Sequence, residues 1–265
     1  MFHNLTDPHC PEIEIYAIPA LKDNYCYLLR KKANARALVI DPSEAAPIES
    51  ALRHLRLQLT HVINTHHHHD HVGGNTELHR KYAAQVLCSA RDIGRIPEAE
   101  IAISAIELIE IDGIKIQVLE IPGHTQGQIA LYIADAAAVF VGDTMFAMGC
   151  GRLIEGTPEQ MHQSLLRLTS LPAATRIFFG HEYTEKNSDF ALSVNPHNSG
   201  VQKRQSLARE ALEDGKIPAA PTVEEEKNVN PFLRLSDSEI RGKLGLESAS
   251  DLEVFTELRK KRDVF

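Results

Sequence analysis

Between Asn64 and Gly74 the chain reads NTHHHHDHVGG, with five histidines and one aspartate in the six positions after Thr65. Imidazole and carboxylate are ligands for zinc and for first-row ions such as iron and manganese. His66, His68, Asp70 and His71 lie in this run, and His124, Asp143 and His181 each close a later predicted strand beside a glycine. A lone histidine is weak evidence of ligation; the shared setting is what joins these three to the cluster. Seven such groups exceed the four of a single tetrahedral site, so two ions are expected. Asp143 would bridge them, leaving three terminal ligands for each. In an extended segment residues i and i+2 point the same way, so His66 and His68 can hold one ion together, whereas Asp70 and His71 need a turn to face the other. His67 and His69 then point away and are not assigned to metal. Gly73 and Gly74 allow close backbone passage into the next helix.

The elements that must position these groups follow from the pattern of apolar residues. Strands are expected at Ile13 to Ala17, Asn24 to Arg30 and Ala37 to Ile40, and a helix over about Pro47 to Leu57. LTHVINT leads directly into the histidines, and a helix over Asn75 to Ala84 follows, which puts the cluster in a strand-to-helix loop. IELIEI and IKIQVLEI flank Asp112-Gly113, a strong hairpin signal. IALYIA, AVFVGDT and RIFFGHEY supply further strands around a helix at Pro158 to Leu168. Beyond Tyr183 strands stop: Phe190 to Val194, Val201 to Leu212 and Leu252 to Lys261 look helical, with Val223 to Asn230 as a loop. A domain boundary is expected near His181 to Thr184.

Composition narrows the class. A chain of 265 residues, 43% hydrophobic, can bury a full core. With 28 basic against 36 acidic residues, net charge -8 and no tryptophan, a nucleic-acid partner is disfavoured. The N-terminal segment lacks a basic and apolar leader, and no apolar run reaches the ~18 residues of a membrane span. Cys10, Cys26, Cys88 and Cys150 are scattered without CxxC spacing, which suits reduced thiols in a cytoplasm. Taken by composition alone, the basic group Arg259, Lys260, Lys261 and Arg262 is a solvated helix face.

THHHHDH at Thr65 to His71, PGHTQG around His124, GDT around Asp143 and GHEY around His181 resemble, in order, the motifs of the metallo-β-lactamase superfamily. Within it the chain is similar to the glyoxalase II family, the hydroxyacylglutathione hydrolases, through DNY at Asp23 to Tyr25, GCGRLIEGT at Gly149 to Thr157, NPFLR at Asn230 to Arg234 and LRKKRD near the end. The resemblance implies an α+β fold: an αββα sandwich over residues 1–181, then a helical domain over 182–265 that contributes to a glutathione site. It implies that His66, His68 and His124 hold the first metal, Asp70, His71 and His181 the second, and that Asp143 bridges. Two divalent ions, zinc with iron or manganese as alternatives, would be the cofactors. Substrate binding would fall to Arg152, Tyr183, Arg259 and Arg262, the last two being three apart on one helix and able to face the same side. Ile154 stands where some relatives have tyrosine, which removes one substrate hydrogen bond. Arg152 and Arg262 stand where some have lysine, which keeps charge and changes geometry.

The implied activity is hydrolysis of the thioester of S-2-hydroxyacylglutathione, S-D-lactoylglutathione above all, to glutathione and a 2-hydroxy acid such as D-lactate, as in methylglyoxal detoxification. A metal-bridging hydroxide would attack the carbonyl, with Asp70 and Asp143 as catalytic carboxylates and no serine or cysteine nucleophile. A monomeric cytoplasmic enzyme acting on a small molecule, without nucleic-acid or membrane partner, is expected. An iron-dependent persulfide dioxygenase and a noncatalytic metal-binding protein are alternatives on the same fold; the complete ligand set speaks against both, and the long helical tail bearing Arg259 and Arg262 against the first. Fold alone would also admit lactonase or β-lactamase activity.

Overall fold

The computed structural model describes residues 2–104 and 108–265, and they divide into two compact units. One runs to Glu120 and adds Gly127–Gly142 and Phe179–Glu182; the other comprises Ile121–Gln126, Asp143–Phe178 and Tyr183–Phe265. Among the described residues no helix is long and apolar enough to cross a membrane.

In the first unit β1 (His3–Asn4), β2 (Ile13–Ala20), β3 (Asn24–Lys31), β4 (Arg36–Ile40), β5 (Gln58–Asn64), β6 (Gln85–Ser89) and β7 (Ala99–Ile103) form one sheet in chain order. Pairing is antiparallel from β1 to β4 and parallel from β4 to β7. Parallel neighbours need a crossover, supplied by α1 (Ala45–Leu55) between β4 and β5, and by α2 (His69–Val72) and α3 (Asn75–Tyr82) between β5 and β6. One face of the sheet, with Tyr16, Ile18, Leu28, Val39, Val62 and Val86, packs on Ile48, Leu52 and Leu78 of those helices. On the other face Tyr27 meets Phe140 edge-on, with ring centroids 5.1 Å apart.

Phe140 belongs to a second antiparallel set, β8 (Leu108–Ile111), β9 (Ile114–Glu120), β10 (Ile129–Ile133) and β11 (Ala138–Phe140). Along β9 the buried Ile114, Ile116 and Val118 alternate with exposed Lys115 and Gln117, as a strand with one wet face requires. Ile111 pairs with Ile114 across Asp112 (φ 52°) and Gly113 (φ 83°), both left-handed, so the expected two-residue hairpin turn is present. Ile106 and Glu107 of IELIEI lie outside the described residues.

The second unit contains a short hairpin, β12 (Met145–Phe146) with β13 (Gly149–Cys150), then α4 (Pro158–Thr169) and β14 (Arg176–Phe178). The named elements after Tyr183 are all helical: α5 (Thr184–Val194), α6 (Ser199–Glu213), α7 (Val223–Val229), α8 (Ser238–Leu244) and α9 (Asp251–Val264), with a 3-10 turn at Pro231–Leu233.

The expected loop at Val223 to Asn230 is therefore a helix. Its acidic composition sits where a helix wants negative charge, with Glu224, Glu225 and Glu226 in the first turn and Thr222 and Glu225 closing a capping box. Val223, Glu226 and Val229, spaced by three, are its buried side. α5 begins six residues before the expected Phe190. β6, β7 and α8 carried no reading in sequence, and the two-residue strands of the β12–β13 hairpin are too short for periodicity to register.

Candidate functional site

Parallel pairing of Ile40 with Ile63 ends β4 and β5 at the same edge, so Asp41 and Thr65 start their loops side by side. Asp41 is buried in left-handed backbone (φ 49°), a conformation aspartate tolerates. Its carboxylate accepts from the Thr65 amide (2.7 Å), the Thr65 hydroxyl (2.6 Å) and His71 Nδ1 (3.0 Å). The cluster leaves β5 as a short loop, and Asp70 and His71 then lie on the single turn of α2, the turn the spacing required. Close passage behind them depends on glycine: a Cβ on Gly73 would lie 2.4 Å from the Ser43 carbonyl oxygen, and one on Gly74 2.9 Å from that of Pro42.

His181 arrives by a different route. Gly180 O accepts from Tyr25 N, and Asp23 O from Glu182 N, each at 2.8 Å, which forms a bridge beside Asn24. Asp23 Oδ1 lies 3.0 Å from His181 Nδ1. With Nδ1 protons directed at Asp23 and Asp41, His181 and His71 turn their Nε2 lone pairs toward each other at 3.3 Å. Asp70 Oδ2 stands 3.2 Å from the first and 3.8 Å from the second. When a proton fills that gap, a hydrogen bond from His181 and the charge of His71 hold the Asp70 carboxyl far below the usual carboxylate range against the opposing effect of burial. Three electron-rich atoms facing one another are stable only around a proton or a cation. The same logic applies to His66 Nε2 and His68 Nδ1, 3.1 Å apart, because His66 Nδ1 is bonded to the Thr65 hydroxyl at 3.1 Å. The donor set fits metal. Asp41 also lies within ligand range of His66 and His71, but its oxygens already accept three hydrogen bonds, and it serves to orient them.

In the second unit His124 Nδ1 bonds the Arg152 carbonyl oxygen at 2.9 Å, so Nε2 again carries the lone pair, 3.6 Å from Asp143 Oδ2. Both residues line a cavity of about 620 Å³ with Phe146, Arg152, Tyr183, Asn187, Arg259 and Arg262. Burial, together with the guanidiniums of Arg259 and Arg152, lowers the Arg262 pKa from its ordinary value. An anion entering this cavity would relieve that repulsion.

Each residue assigned in sequence to metal or substrate thus lies in one of these constellations: His66 beside His68; Asp70, His71 and His181 within 4.8 Å of one another; His124 beside Asp143; and Arg152, Tyr183, Arg259 and Arg262 around one cavity. Asp23, Asn24, Asp41 and Asn187 were missed in these roles. Asn24 Nδ2 donates to Asp70 Oδ2 (3.1 Å), and Asn187 Oδ1 accepts from Arg262 (3.2 Å). Asn187 was findable, being four residues beyond Tyr183 and so on the same helical face.

His67 turns away to Asp92 (3.3 Å) and Arg95 (2.7 Å), and His69 is exposed on α2. His67→Ala and His69→Ala are therefore expected to retain the wild-type metal content. The first should lose about 1.5 to 3 kcal/mol of stability with its charged partners and the second less than about 0.5. Elemental analysis and thermal melts check both, and a lost ion in either variant would mean that the loop register is wrong.

The sequence model of the metallo-beta-lactamase superfamily matches residues 21–181, and that of the hydroxyacylglutathione hydrolase C-terminus matches 182–265. A hydroxyacylglutathione hydrolase of Methylococcus capsulatus is 43% identical over 96% of this chain and 99% of its own. One from Roseobacter denitrificans is also 43% identical, with the same coverage. Among solved structures, TTHA1623 in a di-iron-bound form matches with a TM-score of 0.60 at 25% identity, over 82% of this chain and 98% of its own.

Proposed function

The chain belongs to the metallo-beta-lactamase superfamily and, within it, to the hydroxyacylglutathione hydrolases, and from that premise we propose that its substrate is S-D-lactoylglutathione and related 2-hydroxyacyl thioesters. The products are glutathione and a 2-hydroxy acid such as D-lactate, the chemistry that disposes of methylglyoxal. The observation that supports this most is the cavity holding three guanidiniums together with His124 and Asp143, in a chain of net charge -8. Glutathione carries two carboxylates, and arginine forks match carboxylates bidentately.

On this reading His66, His68 and His124 hold one divalent ion, Asp70, His71 and His181 hold another, and Asp143 is shared between them. Zinc suits these donors, as do iron and manganese. When bound, such a pair supplies hydroxide near neutral pH and polarises the thioester carbonyl. Asp70, kept anionic beside His181, would orient the attacking oxygen besides holding metal. Arg152, Tyr183, Arg259 and Arg262 hold the tripeptide so that the acyl group lies at the metal ligands. The thiolate leaves without an acid, since thiols ionise near pH 8.5. Residues 1–181 act as the catalytic domain and 182–265 complete the glutathione site. The protein works in the cytoplasm as a monomer, where its four free cysteines stay reduced.

Steady-state hydrolysis of S-D-lactoylglutathione, with metal content measured on the same sample, tests the reading. Saturable hydrolysis by protein carrying two ions per chain is expected. Oxygen uptake with glutathione persulfide and no thioester hydrolysis would replace it with the dioxygenase, and inertness of fully metal-loaded protein toward both would leave a binding protein.

A further inference from the structure

Four buried polar side chains of the helical tail share one target, the backbone of the hairpin between Asp143 and Arg152. Asn187 Nδ2 donates to Ala147 O (3.1 Å), Glu226 Oε2 accepts from Met148 N (2.9 Å), and Asn230 Nδ2 donates to Gly149 O (3.0 Å). Arg259 is the last of the set. The residue is only 4% exposed, and Nη1 donates to Cys150 O at 2.7 Å and Gly151 O at 3.4 Å. Nη2 pairs with Asp263 at 3.0 Å, and the group lies over the Phe232 ring, 5.4 Å from its centroid. Such a group is held, with little freedom left to follow a ligand.

What Arg259 grips leads directly to the metal ligands. The carbonyl after the two it holds, Arg152 O, is the acceptor for His124 Nδ1. His124 O in turn accepts from Ile154 N and Glu155 N, both at 3.2 Å. Gly151 N donates to Thr144 O (3.1 Å), and a Cβ on Gly151 would stand 1.9 Å from Asp143 O. Residues 150–155 therefore touch His124 and Asp143 through backbone alone, and a displacement at 150–151 has no slack to absorb it.

We propose that Arg259 is a positioning residue for the metal ligand His124: by fixing the Cys150 and Gly151 carbonyls it aims the Arg152 carbonyl that selects the Nε2-ligating tautomer. This inference rests on the reading that His124 and Asp143 hold metal, and it gives Arg259 a task beyond lining the glutathione cavity. Outer partners of ligating histidines alter metal affinity about 10-fold to 100-fold when removed, and the same range is expected here.

The test uses the full-length protein loaded with Co²⁺, comparing wild type, Arg259→Met, Arg259→Lys and Arg262→Met, with His124→Ala as reference. Chelator competition reads the affinity of each ion, the visible Co²⁺ spectrum reads ligand geometry, and circular dichroism screens for folding. Arg259→Met should weaken one of the two ions about 10-fold to 100-fold, shift the spectrum toward that of His124→Ala, and lower kcat for a simple thioester that lacks glutathione. Arg259→Lys, able to reach one carbonyl but not to fork, should lie between, and it carries the test if the methionine variant does not fold. Arg262→Met should leave metal affinity and spectrum as in wild type. Wild-type affinity and spectrum in folded Arg259 variants, with only KM for the glutathione thioester raised, would overturn the proposal. If His124→Ala itself bound both ions normally, the metal assignment beneath it would fall as well.

Discussion

Asp143→Ala is expected to lose bound metal and at least about 10³-fold in turnover, the largest effect of any single substitution here. The carboxylate is buried beside His124, and it is the ligand we assign to both ions, so its loss should empty two positions where loss of a terminal ligand weakens one. Lewis-acid and nucleophile generation at such a centre supply several kcal/mol, and each ~1.4 kcal/mol is a factor of ten. Asp70→Ala makes the contrast: its carboxylate faces His71 and His181, and its removal should chiefly weaken the ion of that set. Metal content after gel filtration, measured beside kcat, distinguishes the two. An Asp143 variant that kept two tight ions and normal turnover would remove the bridge from this account.

The second large effect concerns substrate recognition. Arg262→Ala should raise KM for S-D-lactoylglutathione about 10-fold to 100-fold, with kcat and metal content near wild type. A hydrogen bond to a charged group contributes roughly 1.5 to 3 kcal/mol, and a contact to the glutathione moiety, remote from the reacting carbonyl, binds ground and transition states alike. Arg262 suits this role better than Arg259. Among the described residues its guanidinium donates one hydrogen bond, to a neutral amide oxygen, Asn187 Oδ1, and its lowered pKa reflects burial with two neighbouring cations, which an incoming carboxylate would offset. A thioester without the glutathione moiety should respond little. Equal losses on both substrates would indicate a disturbed fold, and an unchanged KM would return Arg262 to a helix-surface role.

Much of the candidate site was legible in the sequence, because its donor groups are encoded locally. The spacing of His66 and His68, the turn needed for Asp70 and His71, and strand-end glycines beside His124, Asp143 and His181 are properties of short segments. Short-range order also specified the Asp112-Gly113 hairpin and the change to helices after Tyr183. The misreading at Val223 to Val229 came from weighing acidic composition as loop polarity, when the Thr222 and Glu225 capping box was present in the same few residues.

The donor set and its order along the chain were thus determined by sequence alone, as was the basic character of the tail. Tertiary structure decided which nitrogen each histidine presents and what each arginine holds. Asp41 selects the tautomer of His71 across 30 positions and Asp23 that of His181 across 158; Arg259 reaches Cys150 across 109. Local periodicity carries no information about such partners. A buried charge must find hydrogen-bonding partners wherever packing brings them, and that choice is made by the folded chain as a whole.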